Sequence, residues 1–216
     1  MTDGSASPAV PDPGGSDPGG TRAHRTDVAV ATASAHLHAD AVRVLRGWSA
    51  PDADQARLRE DYLAHLDTHP DAVAKAGPPA HLTASCLVLD ASGERVLLTL
   101  HKRAREWFQF GGHLEPGDGS VWEAARREAR EESGIAALEP LPDPVQLDRH
   151  VLVGAFGRCR EHLDVRYVAV APEGSTAVVS EESHDVRWWP VDALPEGTRA
   201  ELTPLVSAGL RALRGR

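Results

Sequence analysis

Gly111-Gly112-His113-Leu114-Glu115-Pro116-Gly117-Asp118-Gly119-Ser120 runs into Val121-Trp122-Glu123-Ala124-Ala125-Arg126-Arg127-Glu128-Ala129-Arg130-Glu131-Glu132-Ser133-Gly134-Ile135, a Gly/Pro-rich turn followed by a helical pattern. Ser120 with Glu123 three residues on makes a capping box, so the spacing predicts a helix from Val121. Gly134 stands just past its end, where a left-handed residue closes a helix and glycine takes that conformation without strain. Glu128, Glu131 and Glu132 fall at i, i+3 and i+4, which puts three carboxylates on one face within a single turn. Like charges at that spacing cost roughly 0.2–0.5 kcal/mol per pair. A hard divalent cation such as Mg²⁺ or Mn²⁺ removes the conflict, because it takes carboxylate, water and phosphate oxygens as ligands. The interleaved Arg126, Arg127 and Arg130 would equally suit a solvated helix face. The turn in front decides between the two.

Turn and helix together resemble the Nudix box, a pattern of Gly, five residues, Glu, seven residues, Arg-Glu, an aliphatic residue, any residue, Glu-Glu, any residue, Gly and an aliphatic residue. Gly112 opens the match and Arg127 to Ile135 fills its second half. Two departures stand out: the first acid is Asp118 rather than Glu, and eight residues rather than seven separate it from Arg127. Since the capping box begins right after the insertion, the extra residue belongs to the loop and leaves the helix register intact.

That resemblance implies an α/β fold, a Nudix-type α/β/α sandwich on a mixed sheet, and hydrolysis of the diphosphate linkage in a nucleoside diphosphate joined to another group. In the implied scheme Glu128, Glu131 and Glu132 carry Mg²⁺ or Mn²⁺, and the main-chain carbonyl of Gly111 adds a ligand. One of these acids, or a loop glutamate at Glu181 or Glu182, serves as base. Arg127, Asp118 and Gly112 hold the turn to the helix. Two other readings of the same fold stay open: a catalytically silent nucleotide-sensing module, and an isoprenoid diphosphate isomerase. The sensor reading sits poorly with three intact carboxylates, and the isomerase needs a cysteine beside the metal, whereas Cys86 and Cys159 lie outside the box.

Composition narrows the partner. The 216 residues are 41% hydrophobic, enough for a core, and the formal charge of −9 argues against a duplex nucleic-acid binder. A small-molecule diphosphate is the expected partner. Two distant cysteines form no disulfide framework or zinc ribbon, and no apolar run approaches a membrane span, so a cytoplasmic setting is expected.

The flanks divide into three expected regions. Residues 1–25, rich in Pro, Gly and Ser, read as a disordered tail. Residues 26–80 read as a helical extension: one helix from Val28 to Trp48, and a second with Pro51 in its first turn, an apolar face of Leu58, Tyr62, Leu63 and Leu66, and a stop at His69-Pro70. A cap, a homodimer surface or plain scaffold are the roles open to this pair.

From His81 to Arg216 the pattern is sheet, box helix, sheet and a closing helix over about Arg199 to Leu213. The basic loop Lys102, Arg103 and Arg105 beside the box suits a polyphosphate, while Trp107, Phe108 and Cys86 read as core. In Glu161 to Val170 the residues alternate, with His162, Asp164 and Arg166 on one face as a pocket floor, which makes Arg166 a further candidate substrate contact. Val145 to Gly154 reads as another strand or strand pair, and Val186 to Pro190 as a short strand. His150, Cys159 and His162 prompt a zinc check, but no fourth ligand has motif spacing, so hydrogen-bonding or surface roles are expected of them.

Overall fold

The strand Ala80–Leu89 is buried along nearly its whole length, which its apolar Cys86-Leu87-Val88-Leu89 run requires of a central strand. The computed structural model describes Met1 and residues 20–152, 159–181 and 183–215, with side chains from Ser34 onward. Most of the expected disordered tail, the Gly154 end of the fifth strand and the candidate base Glu182 lie outside the described residues.

The elements run α1 (Gly20–Gly47), α2 (Ala53–Thr68), β1 (Ala80–Leu89), β2 (Arg95–His101), β3 (Trp107–Phe108), β4 (Phe110–His113), α3 (Val121–Ser133), β5 (Gln146–Val151), β6 (Glu161–Val170), β7 (Ser183–Pro190) and α4 (Leu202–Arg214). Four boundaries differ from the pattern reading. The helical stretch of α1 starts at Gly20, inside the segment expected to be disordered. Pro51 precedes α2 rather than opening it, because Asp52 takes the N-cap and accepts the Gln55 N–H. Ser183, His184 and Asp185, expected as loop, are drawn into β7 by pairing with β2, and α4 begins at Leu202.

The seven-stranded sheet follows the order β3-β2-β1-β6-β5, with β4 also on β1 and β7 on β2. One edge of β1 is shared: Thr83 to Cys86 pair with β4, and Val88 and Leu89 with β2, both antiparallel. Its other edge meets β6 in parallel over the full length, so the sheet is mixed. Two cores result. On one face Leu37 and Leu45 of α1, Trp48 just past its end, and Tyr62 and Leu66 of α2 pack with α3; on the other Leu202, Leu205 and Val206 of α4 cover Leu87, Leu89 and Val168. This is an α/β/α sandwich.

Candidate active site

Ser120 caps α3 by accepting the Glu123 N–H at 3.0 Å, and Glu123 reaches back to the N–H of Gly119 at 2.8 Å. Gly134 closes the helix with φ +72°. The Val121 N–H, a further donor at this end, is taken by Asp40 of α1 at 2.8 Å. Both ends of the carboxylate-bearing helix are therefore fixed, which fixes the direction of its acids.

Those acids meet the turn. Glu132, almost fully buried, accepts the Gly111 N–H at 3.0 Å. A Cβ on Gly112 would come within 2.5 Å of Glu128 Oε1, and one on Gly111 within 2.4 Å of Ser85 Cβ. Close approach on both sides is what the paired glycines permit. Arg127 donates two parallel bonds to Asp118, at 2.9 and 3.0 Å, one to the His113 carbonyl at 3.1 Å, and pairs with Glu128 at 2.9 Å and Glu131 at 3.3 Å. The Asp118 pairing, first of all, raises the Arg127 pKa still further above its ordinary value. With one extra residue the loop still brings Asp118 to the guanidinium, because Asp118 also accepts the Glu115 N–H and tightens the turn.

A cleft of about 970 Å³ is lined by Gly111, Gly112, Glu128, Glu131, Glu132 and Glu181, with Lys102 and Arg103 at its side. The donor set is all oxygen. Arg127 pairs with Asp118, Glu128 and Glu131, Glu132 stands next to them, and carboxylate oxygens are the ligands that a hard divalent ion takes. A second hollow of about 430 Å³ shares Gly111, Gly112, Glu132 and Arg103 with the first and adds Phe108, Gln109, Thr99 and Asp164.

The remaining sequence candidates separate by place. Arg103 lines both hollows, whereas Arg105, which has φ +57°, is not among the lining residues of either. Arg166 is also absent from them: it is buried, bonded through Nε to Asp164 at 3.0 Å and through Nη2 to Asp148 at 2.9 Å. The polar face of β6 does form a floor, but Asp164 and His162 present it and Arg166 lies behind them. Asp164 gathers Thr83 Oγ1 at 3.0 Å and Ser85 Oγ at 2.7 Å. Phe108, expected as core, is half-buried at the second hollow, with the Arg199 guanidinium 5.4 Å from its ring centre. Trp107 is core, edge-on to Trp189. Cys86 is fully buried, and burial pushes its thiol far up.

His81, His113, Cys159 and His162 converge, with ligand atoms all within 4.8 Å of one another, and His113 and His162 also line the first cleft. Burial, then the neighbouring His162, hold His113 down at about 3; burial, then His150, hold His162 at about 4, so both rings are neutral. Cys159 is buried and meets His113 Nε2 at 3.7 Å, while the buried Nε2 of His162 has no hydrogen-bond partner. His150 is bonded to Asp148 at 2.9 Å. Sequence spacing could not supply the other ligands, because His81 and His113 arrive through strand pairing.

Two solved structures share the architecture. A C. elegans Ap4A hydrolase is 20% identical over 62% of this chain and 98% of its own, with a TM-score of 0.52. A MutT protein from Methanosarcina mazei Go1 is 20% identical over 63% of this chain and 97% of its own, with a TM-score of 0.51. No curated protein sequence matches. The NUDIX domain model matches residues 79–208, which span the turn, the carboxylate helix and the whole sheet. The chain therefore belongs to the Nudix family and is a hydrolase of that family.

Proposed function

We propose that the protein is a divalent-metal-dependent pyrophosphohydrolase that cleaves the diphosphate linkage of a nucleoside diphosphate joined to another group. One observation carries this: the three carboxylates of α3, the Gly111-Gly112 turn, and the cations Lys102 and Arg103 all line one cleft. Nudix hydrolases generally use divalent ions, and Glu128, Glu131 and Glu132 would hold Mg²⁺ or Mn²⁺ here with the Gly111 carbonyl. Such an ion supplies charge neutralisation at the phosphate oxygens and makes the attacking water more acidic.

The chain's own groups do the rest. Lys102 and Arg103 draw the polyphosphate toward the acids and hold its non-reacting oxygens. A carboxylate at the cleft, from α3 or Glu181, takes the proton of the attacking water as its oxygen bonds to phosphorus. The bridging oxygen then leaves with one phosphate, which gives two products that each carry a terminal phosphate group. Phe108, Gln109 and Thr99 in the adjoining hollow offer a ring face and hydrogen-bonding groups to the nucleoside end. Arg127 and Asp118 position the turn and take no part in the proton transfer.

The test is phosphate release, coupled to a phosphomonoesterase, across nucleoside triphosphates, ADP-ribose, dinucleotide cofactors, nucleotide sugars, dinucleoside polyphosphates and coenzyme A. Turnover of one class is expected, absent in Glu132→Gln protein whose near-UV circular dichroism is unchanged. Tight nucleotide binding with no turnover of any class would favour a sensor instead.

A further inference from the structure

The carboxylate cluster accounts for one set of oxygen donors, and it leaves without a role a group of four nitrogen and sulfur donors, two of which, on His113 and His162, belong to residues lining the same cleft. His81, His113 and His162 form a triangle of rings whose centroids lie 5.0, 5.1 and 5.4 Å apart. Imidazoles bound to one tetrahedral ion with Zn–N of about 2.0–2.1 Å hold their centroids roughly 5.2 Å apart. The Cys159 sulfur stands 3.7 Å from His113 Nε2, against roughly 3.6 Å between N and S ligands on one tetrahedral zinc.

Two buried atoms here lack any hydrogen-bond partner: Nε2 of His81 and Nε2 of His162. His81 is 1% exposed, and leaving such a nitrogen unpaired costs free energy that a bound partner would recover. Its other nitrogen, Nδ1, lies 2.9 Å from the Pro78 carbonyl. A carbonyl only accepts, so Nδ1 carries the hydrogen and Nε2 is left as a lone pair aimed at the cluster. Fixing the tautomer through the far nitrogen is how metal-bound histidines are oriented.

We propose that the protein binds a zinc ion through His81, His113, Cys159 and His162, at a site separate from the carboxylates of the box. Three imidazoles and a thiolate suit zinc, and four protein ligands make a closed, structural site rather than an open catalytic one. Binding expels the Cys159 proton, so the ion, one thiolate and three neutral rings leave a net charge of +1. That charge sits on the wall of a cleft that receives phosphate.

Strand register builds the site. His81 pairs with His162 across the parallel β1–β6 ladder, and His113 pairs with Thr83 across β1–β4, two residues along on the same face. The ion ties the ends of three strands together, and through His113 it steadies Gly111 and Gly112 against Glu132 and Glu128. His150 approaches the His162 ring at 5.3 Å with its Nδ1 on Asp148, and it stays outside the four residues whose ligand atoms gather within 4.8 Å of one another.

The experiment measures metal content by mass spectrometry after dialysis of full-length protein against zinc and then against zinc-free, reducing buffer. About one zinc per chain is expected, with a thermal midpoint that falls by about 5 °C or more on chelation and returns with zinc alone. Cys159→Ser and His81→Asn should each weaken zinc binding by more than about 100-fold, while Glu131→Gln keeps it. Near-UV circular dichroism checks that each variant is folded, and cobalt in place of zinc should give a thiolate charge-transfer band that Cys159→Ser lacks. Failure of the unaltered protein to retain zinc, retention unchanged in folded Cys159→Ser and His81→Asn, or zinc lost in Glu131→Gln would each overturn the assignment.

Discussion

Gly111 and Gly112 are adjacent, and the two make different demands. A methyl group on Gly111 would meet Ser85 Cβ at 2.4 Å and the Ala84 carbonyl at 2.8 Å, parts of the paired strand that cannot step aside. Gly111→Ala should therefore cost about 1–3 kcal/mol of stability or more, read by urea unfolding. The nearest atoms to a methyl on Gly112 are those of the Glu128 carboxylate, the far end of a flexible side chain. Gly112→Ala should leave the midpoint nearly unchanged and weaken Mg²⁺ affinity about tenfold or more, measured by titration. Equal loss of stability in both would contradict this division. Arg127→Lys should cost roughly 1.5–3 kcal/mol, because an ammonium cannot make the two parallel bonds to nearly buried Asp118.

At the scale of elements, α3 is held by a contact from far away in sequence. Asp40 caps the Val121 N–H, and His36 Nε2 lies 2.6 Å from the Gly119 carbonyl, so α1 grips the start of the carboxylate helix. Asp40→Ala should destabilise by about 1 kcal/mol, and Asp40→Asn by less, as chemical denaturation will show. The helix itself was legible in sequence, since Ser120, Glu123 and Gly134 are local signals that act within one turn. Asp40 was not, because an aspartate within a helical pattern carries no mark of the donor it serves. The same distinction explains the histidine cluster: alternation placed His162 on the polar face of β6, but only parallel pairing with a strand about eighty residues earlier sets His81 beside it. Arg166 shares that face yet lies buried against Asp164 and Asp148, because parity gives the face of a strand and not the depth.

For the whole molecule, α1 and α2 share one core with α3 and the sheet: Leu37, Leu45, Tyr62 and Leu66 are buried alongside Phe110, Ala125 and Tyr167. A chain begun at residue 79, where the family match begins, would expose that face to water, and it should aggregate or lose its near-UV circular dichroism. A soluble, cooperatively folded product would contradict the shared core. If the α3 carboxylates hold the metal as proposed, hydrolysis depends on it, and the measurement to make is the initial rate on the preferred diphosphate against Mg²⁺ concentration, for the protein and for Glu131→Gln and Glu132→Gln. No turnover is expected with chelator, with saturable recovery on adding Mg²⁺ and kcat/KM lower by about 100-fold or more in both folded variants. Full turnover in chelator, or unaltered rates in the variants, would contradict that proposal.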